Sequence, residues 1–329
     1  MNMQNWLAEL PKSQKPLPIL SFPAVELLGC TVYDFTHDPK LQAQGILEVA
    51  KKCPHAAAAV TMMDLSVEAE AFGATVKTEI NEVPTIIGAL VTTEEEAEAL
   101  AVPPLSAGRA SLYVEAAKLA KALVLDRPVL AGIIGPYSLA GRLMEVEEAL
   151  VNCLTEPDMV HTLLRKVTDY LISYAKAFKE AGVDGIVMAE PLSGLLSPAL
   201  EEEFSQPYVR EIFEAVKDEN FAVIYHNCGP NTPLMTASLL KNGASAYHFG
   251  DAVDMVDILS KMPSDVYVLG NVSPSGEFLG GTPESMSRAV HALKAKTANF
   301  PCYILSSGCD IPPSAKWDNI DAFFAASQN

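Results

Sequence analysis

Short apolar segments alternate with longer amphipathic segments along most of this amino-acid sequence. The longer intervals mostly carry apolar residues at the spacing of one helical face. The short segments have the length of strands and lie at Pro18–Phe22, Ala57–Met62, Pro128–Ile134, Gly185–Ala189, Ala222–His226, Ala246–Phe249, Val266–Leu269 and Tyr303–Ser306. Such an alternation is typical of a parallel sheet crossed by helices, and eight strands predict an α/β fold, a single (β/α)8 TIM barrel.

The helical pattern is clearest between residues 159 and 178. The apolar stripe there consists of Met159, Val160, Leu163, Leu164, Val167, Leu171, Tyr174 and Phe178. Gly182 follows at the position where a left-handed residue commonly ends a helix. Three further helices are predicted to begin at hydroxyl–proline pairs, because the hydroxyl oxygen can cap free amides and proline has no amide to satisfy. These pairs are Ser197-Pro198, Thr232-Pro233 and Thr282-Pro283.

Two regions stand outside this alternation. The residues before the first predicted strand form an N-terminal extension, and residues 80–107 form an excursion after the second strand. The excursion combines the pattern of a hairpin, an acidic patch and a Pro-Pro pair that ends it. We find no low-complexity tract, fixed-period repeat or clear linker, so residues 1–329 are predicted to form a single domain.

The charge balance limits the partners of this protein. The chain contains 41 acidic and 23 basic residues, which gives a formal net charge of −18. An acidic surface repels phosphate backbones and anionic lipid, so neither nucleic acid nor a membrane is an expected partner. The sequence shows no signal-peptide pattern and no apolar run of membrane-spanning length, which predicts a cytoplasmic location. The six cysteines are scattered, so those that cluster in space are expected to serve thiol or metal chemistry.

One imidazole and two thiols follow predicted strands. His226 and Cys228 lie two residues apart at the end of one strand, where a period of two turns both side chains to the same face. Cys309 follows the last strand. At the carboxyl end of a barrel these residues could form a three-ligand zinc site with an open position, suited to activating a substrate thiol for alkylation. The alternative is that the cysteines and the histidine are buried core residues.

Five other residues lie at predicted strand ends. Glu190 is a candidate catalytic residue that could be a fourth zinc ligand or could cap a helix. Tyr137 and His248 are further catalytic candidates, and Asn227 and Asn271 are cofactor-binding candidates. For these side chains, hydrogen bonding within the core or the loops is the competing interpretation.

Two carboxylates follow the second predicted strand. Asp64 and Glu68 share one face of a predicted helix. We expect them to form a solvent-exposed acidic face, although Glu68 could also point into the barrel.

Six segments spread over most of the chain resemble a known family. They are MMDLSVEAEAFGA (62–74), GIIGPYSLAGRL (132–143), EPLSGLLSPALEEEFSQPYVREIF (190–213), YHNCGPNT (225–232), LGNVSP (269–274) and SSGCDIPP (306–313). The sequence resembles the uroporphyrinogen decarboxylase superfamily, and within it the branch of zinc-dependent corrinoid methyltransferases. The resemblance implies that His226, Cys228 and Cys309 bind Zn²⁺. It also implies methyl transfer from a methylated corrinoid on a separate carrier protein to a small thiol such as coenzyme M.

Three alternatives remain open from the sequence. A porphyrinogen decarboxylase would need cationic partners for many substrate carboxylates. The first 50 residues contain no arginine, and the R-Q-A-G-R type of motif expected of that branch does not occur. A methyl donor:corrinoid protein methyltransferase would move the methyl group in the opposite direction, and we expect a more oxygen-rich ligand set there. A non-catalytic barrel that sequesters a corrinoid or a thiol is the third. The sequence specifies neither the methyl acceptor nor the oligomeric state.

Overall fold

The computed structural model describes residues 1–328, and its centre is a curled sheet of seven parallel strands. In chain order the strands are β1 (Ala59–Val60), β2 (Thr75–Lys77), β3 (Thr85–Ile87), β4 (Val129–Ile134), β5 (Gly185–Ala189), β6 (Ala222–Asn227), β7 (Ala246–Phe249), β8 (Val268–Val272) and β9 (Tyr303–Ser307). The main sheet has the order β1-β4-β5-β6-β7-β8-β9, and β2 and β3 form a separate antiparallel pair. Neighbouring strands of the main sheet follow each other in sequence, as in a singly wound α/β fold.

Helices connect the strands and cover the outer face of the sheet. They are α1 (Met3–Ser13), α2 (Ala24–Leu28), α3 (Val32–His37), α4 (Pro39–Lys52), α5 (Val67–Ala71), α6 (Glu94–Ala99), α7 (Ala110–Leu123), α8 (Pro136–Met144), α9 (Val146–Thr155), α10 (Pro157–Glu180), α11 (Pro198–Phe204), α12 (Gln206–Val216), α13 (Thr236–Leu239), α14 (Met255–Lys261), α15 (Pro283–Thr297) and α16 (Trp317–Ser327). Short 3-10 turns lie at Leu192–Leu195, Thr232–Leu234 and Leu240–Asn242, and a π-helical turn lies at Pro274–Leu279. Within residues 1–328, no helix is long and apolar enough to cross a membrane.

The helix signals in the sequence are confirmed with one exception. The predicted stripe is the buried face of α10, and Gly182 follows that helix with a φ of +88°. Ser197 caps α11, and Thr282 forms a capping box with Ser285 at the start of α15. Thr232 begins only a 3-10 turn, and its hydroxyl donates to a backbone carbonyl instead of capping a helix.

The predicted first strand, Pro18–Phe22, is not a strand in the structure. Pro16 and Pro18 have no N–H, so this segment cannot make a regular ladder of hydrogen bonds. It nevertheless bonds to both edges of the sheet. Leu17 donates to a carbonyl of β9, and the carbonyl of Pro16 accepts from Ala57 just before β1.

The concave face of the sheet encloses an apolar interior. Its members include Leu17 and Ile19 of the irregular segment together with Val60, Leu130, Val187, Ala189, Ala222, Ile224, Ala246, Leu269 and Ile304 of the strands. Met3, Leu7 and Leu10 of α1 pack into the same cluster. The amide of Met3 donates to the carbonyl of Glu219, just before β6, so α1 covers the amino-terminal end of the strands. The N-terminal extension therefore fills the end of the interior opposite the candidate site.

The excursion has the predicted character but starts earlier than predicted. Strands β2 and β3 form the hairpin, and α6 carries the acidic patch. The hairpin begins at Thr75, before the predicted start at residue 80. Arg109, just after the excursion, pairs with Asp64 at 2.7 Å and with Glu70 at 2.7 Å. These ion pairs fix the base of the excursion to the segment that follows β1.

Candidate metal centre

Strands β6 and β9 bring one imidazole and two thiols together at their carboxyl ends. His226 lies inside β6, Cys228 immediately follows that strand, and Cys309 follows β9. One ligand atom from each of the three residues lies within 4.8 Å of the other two. The Nε2 atom of His226 is 3.3 Å from the Sγ atom of Cys309. The three residues predicted to bind a metal are thus gathered in one cluster.

The three residues of the cluster differ in their exposure to solvent. His226 is buried, whereas Cys228 and Cys309 are each partly exposed. A hydrogen bond from Cys309, followed by the nearby His226 ring, holds the pKa of Cys228 well below its usual range. The same contact, together with burial, raises the pKa of Cys309. The lowered pKa of Cys228 favours its thiolate form, which is the form that binds a cation.

A chain of hydrogen bonds leads from His226 into the interior. Its Nδ1 atom lies 2.8 Å from Nδ1 of His248, in the adjacent strand β7. The Nε2 atom of His248 lies 2.8 Å from the hydroxyl of Ser306 in β9, and that hydroxyl donates to the carbonyl of Leu17 at 2.6 Å. Burial lowers the pKa of His248 well below its usual value. His248, predicted as a catalytic candidate, thus contacts a candidate ligand.

Asn227 supports the loop that carries Cys228. Its amide nitrogen donates to the hydroxyls of Ser193 and Tyr225. Its carbonyl oxygen accepts from the amide of Gly229 and lies 3.2 Å from the hydroxyl of Thr232. All hydrogen-bonding positions of this fully buried side chain are directed at the protein. Its predicted role in cofactor binding finds no support in these contacts, which tie the loops after β5 and β6 together.

Asn271 has a similar role after β8. Its side-chain amide donates to the carbonyls of Gly250 and Val253, each at 2.9 Å. Gly250 in turn packs so closely against Cys228 that an added Cβ would lie 2.5 Å from the cysteine Cβ. Asn271 therefore holds the loop that contacts Cys228.

Glu190 caps a helix and is not part of the cluster. Its carboxylate accepts from the amides of Tyr137 and Ser138 and from the hydroxyl of Ser138, at the start of α8. The side chain is completely buried, and burial raises the pKa of Glu190 to about 8, while these three donors act in the opposite direction. Of the two roles predicted for Glu190, the structure shows the helix cap.

Tyr137 lies away from the cluster as well. Its ring is buried, and its hydroxyl donates to the carbonyl of Ala149 and contacts the sulfur of Cys153. Both partners belong to α9, so the hydroxyl points into the helical layer.

The expectation of an exposed acidic face at Asp64 and Glu68 is wrong, because both carboxylates are buried. Asp64 accepts from Arg109, Tyr113 and Ser66. Glu68 accepts from the amide of Ile134, and burial raises its pKa to about 7. The predicted common helical face is wrong as well, because α5 begins only at Val67 and Asp64 lies before it.

Sequence reasoning also missed Ser306. The period of two places Ser306 on the same inward face of β9 as Ile304, and that alternation was visible in the sequence. The contact with His248 depends on the order of the strands in the sheet, which cannot be read from local sequence patterns.

The donor set fits a zinc ion. Imidazole nitrogen and thiolate sulfur are preferred zinc ligands, and three such ligands with one accessible side match a catalytic site. The lowered pKa of Cys228 adds electrostatic attraction for a cation.

Comparisons with known proteins identify the family of this chain. The family model "Uroporphyrinogen decarboxylase (URO-D)" matches residues 21–329. The chain is 28% identical over 270 residues to the methylcobamide:CoM methyltransferase MtbA of Methanosarcina acetivorans, which covers 81% of this chain and 78% of the relative. It is 25% identical over 308 residues to a uroporphyrinogen decarboxylase of Coxiella burnetii, which covers 90% of this chain and 83% of that relative.

A solved structure supports the fold. A methyltransferase from Methanosarcina mazei superimposes with a TM-score of 0.85 over 98% of both chains, at 22% sequence identity. The fold therefore extends over the same length as the family match. On the match that covers residues 21–329, the chain belongs to the uroporphyrinogen decarboxylase family.

Proposed function

We propose that this protein is a zinc-dependent methyltransferase that moves a methyl group from a protein-bound methylated corrinoid to a small thiol such as coenzyme M. The observation that carries the proposal is the meeting of His226, Cys228 and Cys309 at the carboxyl end of the sheet. The relatives named as methylcobamide:CoM methyltransferases support this choice of methyl donor and acceptor.

Each of the three residues has a distinct part in the proposed site. His226 sits in a strand, which gives it the most rigid position, and Cys228 and Cys309 sit on loops at the rim. A zinc ion held by the three would lower the pKa of a bound thiol and keep its thiolate available near neutral pH. The partly exposed side of the cysteines leaves room for that thiol.

The proposed reaction balances without a further reactant. The acceptor sulfur attacks the methyl carbon, so a sulfur–carbon bond forms and the cobalt–carbon bond breaks with both electrons remaining on the corrinoid. The thiol proton passes to solvent. The chain contributes position and charge, which are the usual sources of rate for a transfer between two bound reactants.

The carrier protein must approach the carboxyl end of the sheet. The two partly exposed cysteines face that end, and α1 fills the opposite end. The hydrogen bonds of residues 16–19 to β9 and to the β1 side support the further inference that the sheet closes into an eight-membered barrel around the site.

Porphyrinogen decarboxylation is the second candidate. The family match and the decarboxylase of Coxiella burnetii favour it. It gives no role to the imidazole and the two thiols, and the first 50 residues offer no arginine for substrate carboxylates. Consumption of uroporphyrinogen by metal-free protein would support this candidate and contradict methyl transfer.

Metal analysis and a methyl-transfer assay test the proposal. We expect the purified protein to bind about one equivalent of zinc. It should convert methylcobalamin and coenzyme M to methylated thiol, followed by the change in cobalamin absorbance. Cys228→Ser and Cys309→Ser should lose both zinc and transfer.

Cys302→Ser is the matched control. Cys302 lies just before β9, at the opposite end of the strand from Cys309. This variant should keep zinc and activity. A protein in which both site variants retain them would show that the cluster is not the metal centre.

A further inference from the structure

The hydrogen bonds behind His226 determine which of its ring nitrogens carries a proton. Ser306 has one hydroxyl proton, and it donates that proton to the carbonyl of Leu17 at 2.6 Å, because a carbonyl can only accept. The Ser306 oxygen therefore presents a lone pair to Nε2 of His248, 2.8 Å away. Nε2 of His248 must carry a proton.

The next contact joins the two imidazole rings. Nδ1 of His226 lies 3.3 Å from the backbone carbonyl oxygen of His248, a group that can only accept. It also lies 2.8 Å from Nδ1 of His248, and only one nitrogen of this pair can carry the shared proton. The carbonyl places that proton on Nδ1 of His226, so Nδ1 of His248 is the acceptor. Both neighbours thus require an N–H at Nδ1 of His226.

We propose that His248 and Ser306 are positioning residues that hold His226 in the Nδ1–H tautomer, so that the lone pair of Nε2 faces Cys309 and a divalent metal. The inference rests on the proposed metal site. A ligating histidine generally has its other nitrogen fixed by a hydrogen bond, and such outer partners tune the affinity for the metal. In this protein the outer partner is a second imidazole, fixed in turn by a hydroxyl.

The irregular segment supplies the last acceptor. The amide of Leu17 donates to the carbonyl of Leu305, while the carbonyl of Leu17 accepts from the next residue, Ser306. Both backbone groups of Leu17 are therefore bound to β9. The irregular segment at the predicted first strand thus provides the last acceptor in the series of hydrogen bonds that starts at His226.

The first test needs no metal. In metal-free wild-type protein labelled with ¹⁵N-histidine, long-range nitrogen–proton correlation spectra report the tautomer of each ring. We expect a protonated Nδ1 on His226 and a protonated Nε2 on His248. A protonated Nε2 on His226 would overturn the inference whether or not the protein is a methyltransferase.

The second test measures zinc affinity against a competing chelator. Ser306→Ala should weaken zinc binding by about 10–100-fold, the range found when an outer-sphere partner is removed. Ser306→Thr keeps the hydroxyl and should restore most of the affinity. His248→Phe should lower the affinity at least as much as Ser306→Ala.

Ser307→Ala is the matched control. Ser307 is the next residue of β9 and is equally buried. Its hydroxyl accepts from the amide of Ile19 and makes no contact with the ring of His226 or His248. Equal zinc affinities for the Ser306→Ala and Ser307→Ala proteins would overturn the positioning role. Wild-type protein that binds no zinc would instead refute the proposed function, and the tautomer of His226 would separate the two failures.

Discussion

Two groups of polar residues near the carboxyl ends of the strands have opposite chemical character. The donor region comprises His226, Cys228, His248, Ser306 and Cys309. The carboxylate region comprises Asp64, Glu68, Arg109, Ser138 and Glu190. In the carboxylate region, arginine, hydroxyl and amide donors already occupy most of the oxygens. In the donor region, the hydrogen bonds come from behind and leave one nitrogen and two sulfurs directed at each other.

The difference shows that a position at a strand end does not by itself indicate chemistry. Glu190 and His226 are adjacent through the pairing of β5 and β6, and the amide of Glu190 donates to the carbonyl of His226. The side chain of Glu190 caps a helix, whereas that of His226 belongs to the candidate metal centre. What distinguishes them is whether the protein itself uses the polar atoms. The following predictions test this distinction, beginning with the largest effect.

His226→Ala should abolish the metal centre. Removing a ligand should weaken zinc binding by more than about 100-fold, beyond the loss caused by an outer partner, and thiol methylation should fall with it. Zinc analysis and the cobalamin assay measure both. His55→Ala, at an exposed histidine, is the control and should change neither. Retention of zinc by the His226→Ala protein would place the metal elsewhere.

Arg109→Met should destabilise the fold without emptying the metal site. Its partner Asp64 is buried, and an unpaired buried charge costs about 3–5 kcal/mol. Urea denaturation measures the loss, and zinc content of the folded variant should equal that of the wild type. Arg210→Met breaks an exposed ion pair with Glu214 and should cost less than about 1 kcal/mol. Loss of zinc from folded Arg109→Met protein would connect the two regions.

Ser138→Ala should have a smaller effect on stability. It removes one of three donors to the buried carboxylate of Glu190, which should cost about 1–3 kcal/mol. Ser173→Ala, at an exposed position on α10, should stay within about 0.5 kcal/mol of the wild type. Both values come from denaturant titration. A fall in zinc affinity in the Ser138→Ala protein would show that Glu190 contributes to the metal centre.

Glu68→Gln should change how the free energy of unfolding depends on pH. Burial raises the pKa of Glu68 from 4.5 to about 7, so the native state holds a proton that the unfolded chain releases. This contribution is complete below the unfolded pKa and is lost as the pH rises through 7. Between these values the wild type should lose about 1 kcal/mol per pH unit through this group.

The Glu68→Gln protein should lack that slope, because glutamine does not titrate. Glu95→Gln, at an exposed glutamate, should keep it. Denaturation curves at several pH values make the comparison. Parallel pH profiles for wild type and Glu68→Gln would show that Glu68 is ionised throughout.

Seven of the eight predicted strands are strands of the main sheet, and the three metal-ligand candidates lie together as the sequence predicted. These features depend on local periodicity, since a spacing of two places His226 and Cys228 on one side of β6. Cys309 could be added because parallel strands end at the same edge. The prediction of a strand at Pro18–Phe22 was wrong. It relied on the apolar residues of this segment and gave too little weight to the prolines at positions 16 and 18.

The roles of the other candidates depended on partners distant in sequence. Tyr137 points toward α9, Asn227 joins two loops, and Asn271 binds carbonyls after β7. Their side chains have the same hydrogen-bonding capacity as pocket residues, so residue type cannot separate the two roles. Ser306 escaped notice for the same reason, because only the strand order places it beside His248.

Helix α1 determines from which end the interior of the sheet can be approached. Met3, Leu7 and Leu10 pack into the interior at the amino-terminal end of the strands, so in the proposed reaction both reactants would approach from the carboxyl end. A bulky donor bound over the carboxyl end would enclose the acceptor beneath it. In the proposed reaction the small acceptor would therefore bind first, and its methylated form would leave only after the donor. The order of substrate binding and product release would thus depend on a helix at the opposite end of the strands.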